Sequence, residues 1–261
     1  MKEIDVKFTR SHLLEINRKI KSLCDNHLEI AIYTDVKNNN ALTNVSLYDD
    51  TSNPDFVICL NYSIFGKIDC MSSISCKIND DLSLEFSSKT DPMYEGNKYN
   101  LLLRSILIIL CPFIKIKTPD SYKYDVINMI VSRAINPISI YLLAKYFHAY
   151  NDLLETYMTE NDLEYDDLTF DNIKDFYDNL DPMMNLDDEE MEQYMKNNSD
   201  FGNPILLTID PNNQDNIKQA TKIFKNIAIK CPKIGGRTKR LKKPKQKRKK
   251  NKRHKSTLKI K

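Results

Sequence analysis

The stretch YNLLLRSILIILCPF, residues 99–113, leaves a chain few folds to choose from. Read as a helix it is apolar on nearly every face, so it has to lie between two layers, a sheet on one side and further structure on the other. A bilayer would also bury it, but the uncharged part covers only the ten residues 105–114, between Arg104 and Lys115. A spanning helix needs about 20 apolar residues. No membrane is expected, and the run reads as an interior helix of a folded domain.

The chain of 261 residues, 41% apolar and 29% charged, has material for one sizeable domain with appendages. Ahead of the run, residues 28–36, 43–50, 55–63, 67–78 and 82–90 are rich in Ile, Val, Phe and Tyr. Turn-forming clusters such as KNNN, TSNP and IND separate them. Short connections make these strands an antiparallel meander. Residues 1–20 read as an amphipathic helix without a signal-peptide core. Beyond the run, residues 126–132 have the successive apolar residues of a strand buried on both faces. Asn136-Pro137 then opens a helix, with Asn at the N-cap and Pro at the first helical position. Residues 203–210 read as a strand and 212–230 as a last helix.

The net charge of +3 conceals two opposite blocks. Residues 151–200 hold 17 acids against two lysines, interleaved with Leu153, Leu154, Tyr157, Met158, Ile173, Phe176 and Tyr177 at helical spacing. That pattern predicts short amphipathic helices rather than a solvated acid run. Asp187, Asp188, Glu189 and Glu190 lack the alternation and glycine of a calcium loop. Residues 233–261 hold 16 Lys and Arg and no acid. With almost nothing to bury, this arm is expected to be disordered.

The arm implies a polyanion, DNA or RNA, met by Arg237, Lys239, Arg240, Lys242, Lys243, Lys245, Lys247, Arg248, Lys249, Lys250, Lys252 and Arg253. It has no aromatic residue to stack on bases and no device for reading sequence. If half of its cations met phosphates, log affinity would fall with log salt at a slope of about −7. An import signal, for which KRLKKPKQKRKK suffices, and a solubilising tail are the alternatives, and the acidic block is a competing partner within the chain. Of the six cysteines none forms a C-x-x-C pair, so reduced, mostly buried thiols are expected. Cys24 and His27 have metal-ligand spacing without a second pair, and no metal is assigned.

A meander running into β-α-β-α, with Gly96 in the first strand-to-helix turn, resembles the GNAT superfamily of N-acetyltransferases. Its Q/R-x-x-G-x-G/A turn corresponds to Met93-Tyr94-Glu95-Gly96-Asn97-Lys98, where the first glycine is kept and Lys98 stands at the second. Its N-x-x-A-x-x-L-Y-x-K-x-G-F pattern compares with NPISIYLLAKYFH through Asn136, Ser139, Leu142 and Lys145. Leu143 stands where many members carry an acid tyrosine, which leaves Tyr141 or Tyr146 as substitutes, and Phe147 falls on the glycine.

The resemblance implies an α/β (α+β) fold with a GNAT-like mixed sheet. Acetyl-coenzyme A would sit against Gly96, Asn97, Lys98 and Asn136, its carbonyl polarised near Ser87 or Ser88. Glu85 and Glu95 are candidate bases by location. Residues 1–150 then form the core with its N-terminal helix, 151–200 the acidic helical segment, 201–232 a strand and helix completing the core, and 233–261 the tail. A non-enzymatic packaging protein using the fold as scaffold is the alternative. The basic tail after Gly235-Gly236 also resembles tails of proteins from giant DNA viruses, which implies an intracellular location, in host cytoplasm or nucleus, or in the virion.

Overall fold

The structure is a computed structural model that describes residues 5–34, 54–64, 67–117, 122–134, 136–180 and 205–232. Met1–Cys231 forms one compact unit; Pro232–Lys261 is counted as a second and, after Pro232, lies outside the described residues, as do the strand expected at 43–50 and the acids at 187–190.

A six-stranded mixed sheet organises the unit. Strands β2 (Leu28–Tyr33), β3 (Phe56–Ile64), β4 (Lys67–Ile78) and β5 (Ser83–Thr90) pair antiparallel in succession, as the short polar connections require. The chain then crosses over through helix α2 (Tyr99–Leu110) to β8 (Met129–Ala134), which pairs parallel to β5. Helix α3 (Pro137–Phe147) follows, and β9 (Ile205–Ile209) closes the order β2-β3-β4-β5-β8-β9, antiparallel to β8. Beyond β9 an isolated antiparallel bridge joins Tyr150 to Thr208.

Residues 1–20 are not one helix. β1 (Asp5–Phe8) pairs with β6 (Ile114–Lys117), and β6 with β7 (Asp125–Val126), in a separate three-stranded antiparallel sheet; helix α1 (Arg10–Leu23) begins only after Thr9. The alternations Val6, Phe8 and Ile114, Ile116 have period two, and they bury those residues against the core while Lys7 and Lys115 stay outside. α1 buries Ile16 and Ile20, and its Asn17 side chain bonds both the N–H (2.6 Å) and the carbonyl (2.9 Å) of Ile30. This satisfies part of the sheet's edge strand.

α2 buries ten of its twelve residues, among them Leu102, Leu103, Ile106 and Leu107, between the sheet and helix α6 (Gln214–Asn226). The two layers that its sequence demands are thus the sheet and a second helix. β8 does not have two buried faces. Ile130, Ser132 and Ala134 face the helices and are buried, whereas Arg133 is exposed. Across β4, β5 and β9 the reverse face carries the exposed Lys77, Ser87, Lys89 and Leu206.

The acidic block contributes α4 (Asp152–Glu160) and α5 (Phe170–Asp178), which bury Leu154, Met158, Ile173 and Phe176. Asn151 caps α4 through Leu153 N (3.0 Å) and Leu154 N (3.2 Å), and Thr169 with Asn172 forms a capping box on α5. Asp152 and Glu155 in the first turn of α4 and Asp171 in that of α5 stand at the favourable end of the helix dipole. The expectation of reduced thiols fails for Cys24 and Cys231, which form a disulfide between the C-terminus of α1 and the chain after α6. Cys24 is therefore no metal ligand. Cys59, Cys70, Cys76 and Cys111 are free thiols.

Candidate functional site

β5 and β8 share only three register pairs, Ser83↔Met129, Leu84↔Ile130 and Glu85↔Val131. Past them β5 stays bonded to β4 and β8 to β9, so the two parallel strands part toward their C-terminal ends. The turn after β5 and the start of α3 after β8 lie at this same end, which places two helix N-termini beside one opening in the sheet.

The turn is built by local rules. Asp91 accepts from Met93 N (2.8 Å) to start a 3-10 turn at Pro92–Tyr94, and Gly96 follows with φ +74. A β-carbon on Gly96 would meet nothing within 4 Å, so the residue is fixed by its left-handed backbone and not by crowding. Asn97 donates to the Tyr94 carbonyl (2.9 Å). Lys98 is the N-cap of α2, itself left-handed at φ 63, and makes no side-chain capping bond. The first-turn amides of α2 therefore have no capping side chain, and Lys98 at the N-cap is exposed. Two residues in or next to the left-handed region within three positions bend the chain sharply into the helix. The arrangement suits an oxyanion from solvent.

Asn136 is an N-cap, as its dipeptide predicts, and its Oδ1 accepts from Ser139 N (2.8 Å). Ser87 and Ser88 sit on opposite faces of β5, Ser87 exposed on the reverse face and Ser88 turned toward α2. Glu85 pairs with Arg133 (3.2 Å) where β5 and β8 separate. Glu95 is exposed. Leu143 is buried in the core, while Tyr141 packs edge-on against both Tyr146 and Phe170 of α5. Burial raises the Tyr141 pKa, which makes its phenol a weaker acid. Gly96, Asn97 and Lys98 are thus gathered in one turn at the opening; Tyr141 and Tyr146 instead form part of the contact between α3 and α5.

Sequence reasoning missed Arg104. It reads as the charge that bounds the apolar run, yet it lies within α2 and only 4% of it is exposed. Its Nη2 donates to Ser88 Oγ (3.0 Å), and its guanidinium carbon lies 5.8 Å from the centre of the Phe86 ring. Among the described residues Nε and Nη1 have no acceptor. Burial lowers its pKa to about 10, which leaves it protonated at neutral pH. The signal was present, since a helix apolar on every face has no wet side on which to put a charge. A concavity of about 450 Å³, lined by His148, Tyr150, Asp210 and Asp215 among others, lies at the other end of β8 and β9.

Comparison with known proteins finds no matching family model, no matching curated protein and no matching solved structure. Among the described residues no helix is long and apolar enough to cross a membrane, and no group of three or more His, Cys, Asp and Glu could hold a metal ion.

Proposed function

We propose that the unit is a GNAT-like acyl-coenzyme A binding domain, an N-acetyltransferase or a derivative of one, which takes acetyl-coenzyme A as its cofactor. One observation carries the reading: β5 and β8 part after three pairs, at the end where the Gly96 turn leads into the uncapped start of α2. In such an opening the thioester arm of the coenzyme would run between the strands. The backbone of residues 86–90, unpaired on the β8 side, offers hydrogen bonds to its amides, and an N–H near Ser87 or Ser88 would polarise the carbonyl as negative charge develops. The pyrophosphate would meet the α2 amides and Lys98.

Amine attack on the carbonyl would form the new amide and expel the thiolate. The thiolate needs a proton donor, and the buried Leu143 cannot supply one. Glu85 is already engaged in an ion pair with Arg133. These two observations favour a second reading, in which the domain binds the coenzyme without transferring the acyl group and the basic tail, by sequence-independent contact with DNA or RNA, performs the principal function.

The test is thermal unfolding of the full chain in coenzyme A. A ligand at 100 times its dissociation constant adds about 2.7 kcal/mol to the folded state. A rise in melting temperature with acetyl-coenzyme A supports the domain assignment, and an amine-acetylation assay then separates the two readings. No shift at millimolar coenzyme A refutes both.

A further inference from the structure

A guanidinium enclosed by protein is normally matched by a carboxylate or by a full set of carbonyls, since removing the cation from water costs far more than one neutral hydrogen bond returns. Arg104 has neither. No ion pair to it occurs among the described residues, its one polar contact is the neutral Ser88 hydroxyl, and Nε and Nη1 are left without acceptors. One turn earlier on the same side of α2, the buried Asn100 Oδ1 also has no partner.

These groups are placed at the opening. Ser88, which accepts from Arg104, and Phe86, whose ring lies near its guanidinium, both lie beyond the last β5–β8 pair, and Ser88 is partly exposed while the arginine is not. A group entering between the parted strands therefore reaches Ser88 first and Arg104 next.

We propose that Arg104, with Ser88 and Asn100, receives a carboxylate carried by the substrate that enters between β5 and β8. A carboxylate matches the arginine in charge, one against one, and in shape, because its two coplanar oxygens accept from the planar fork side by side. A phosphate dianion would need a second cation, whereas the guanidinium that bonds Ser88 and lies near the Phe86 ring is a single charge. The neutral Asn100 amide can turn either its oxygen or its nitrogen to the ligand. The inference deepens the acyl-transfer reading and rests on it for the route of entry. It adds that the acyl chain, or the amine that accepts it, ends in a carboxyl group, so that a plain acetyl group leaves the arginine unmatched.

The experiment measures binding of succinate, succinyl-coenzyme A and acetyl-coenzyme A to the full chain at constant ionic strength, in the natural sequence, in Arg104→Gln and in Ser88→Ala. Ser88 lies partly in solvent, so Ser88→Ala tests the site should Arg104→Gln fail to fold. Loss of a charge-assisted hydrogen bond is expected to weaken succinate about 10- to 100-fold in Arg104→Gln, with a smaller loss in Ser88→Ala, while Arg104→Gln holds acetyl-coenzyme A as before. A matching preference for succinyl- over acetyl-coenzyme A places the carboxylate on the donor; a gain with free succinate alone places it on the acceptor. Succinate binding without coenzyme A binding keeps the carboxylate site and removes the acyl-transfer reading. Acetyl-coenzyme A binding with succinate ignored and no preference for succinyl-coenzyme A, or with succinate bound equally by all three chains, overturns the carboxylate site and leaves the acyl-transfer reading intact.

Discussion

Single residues decide what the interior can do. Arg104 is a charge in a place built for leucine, and without a bound anion it costs stability. Arg104→Met keeps the length of the side chain and removes the desolvated charge, so the variant is expected to gain about 1–4 kcal/mol in urea unfolding. An unchanged or lower stability would mean that the guanidinium is satisfied within the fold. Tyr99 makes the opposite case. Its hydroxyl donates to the Lys230 carbonyl, and burial raises its pKa from 10.0 to about 12. A raised folded-state pKa gives stability that is complete below pH 10 and is lost as pH climbs toward 12, because the unfolded chain releases the proton first. Melting temperatures from pH 9 to 12 should therefore fall less steeply in Tyr99→Phe. Neither residue's role could be read from spacing alone, since Arg104 looks like a boundary and Tyr99 like an ordinary start to a helix. What reveals them is burial.

Elements were far easier to read. The antiparallel strands β3, β4 and β5 fall within a residue or so of the apolar runs that predict them, because turn residues bound those runs on both sides. α3 begins at Pro137 as Asn136-Pro137 dictates. Three short strands escaped notice, the two-residue β7 and also β1 and β6, whose four residues each give too little alternation to outweigh the neighbouring helical pattern. The both-face burial expected of β8 failed for a tertiary reason, the concentration of the helices on one face. Successive apolar residues in a sequence do not report on that. At this scale the Gly96 turn makes a clean prediction. Since added side-chain bulk meets nothing, Gly96→Ala should cost only the backbone strain of φ +74, about 1 kcal/mol by chemical denaturation. A much larger loss would show that the turn is crowded. In α5, Thr169→Ala removes half of the capping box and should cost about 1 kcal/mol as well.

For the whole molecule, the disulfide between Cys24 and Cys231 closes a loop with a sequence separation of 207. In the chain-entropy view a ring of this size stabilises by about 5 kcal/mol, and reduction should lower the melting temperature of the unit accordingly. An equal melting temperature with and without reductant would show that the bond does not constrain the unfolded chain. The fold class, a meander continued by a crossover to a parallel strand, was legible because strand and helix periods alternate openly along residues 55–147. The candidate site was legible only in part. Gly96 and its turn were visible as a local motif, whereas the parting of β5 from β8 and the arginine behind it arise from pairing between distant segments.

The most direct test of the acyl-coenzyme A assignment is hydrogen exchange on the full chain, followed by mass spectrometry with and without coenzyme A. The account predicts slower exchange confined to residues 86–90 and to residues 94–101, the unpaired stretch of β5 and the Gly96 turn with the start of α2. Protection only around Asp210 and Asn216, at the other end of the sheet, or none anywhere, would contradict it.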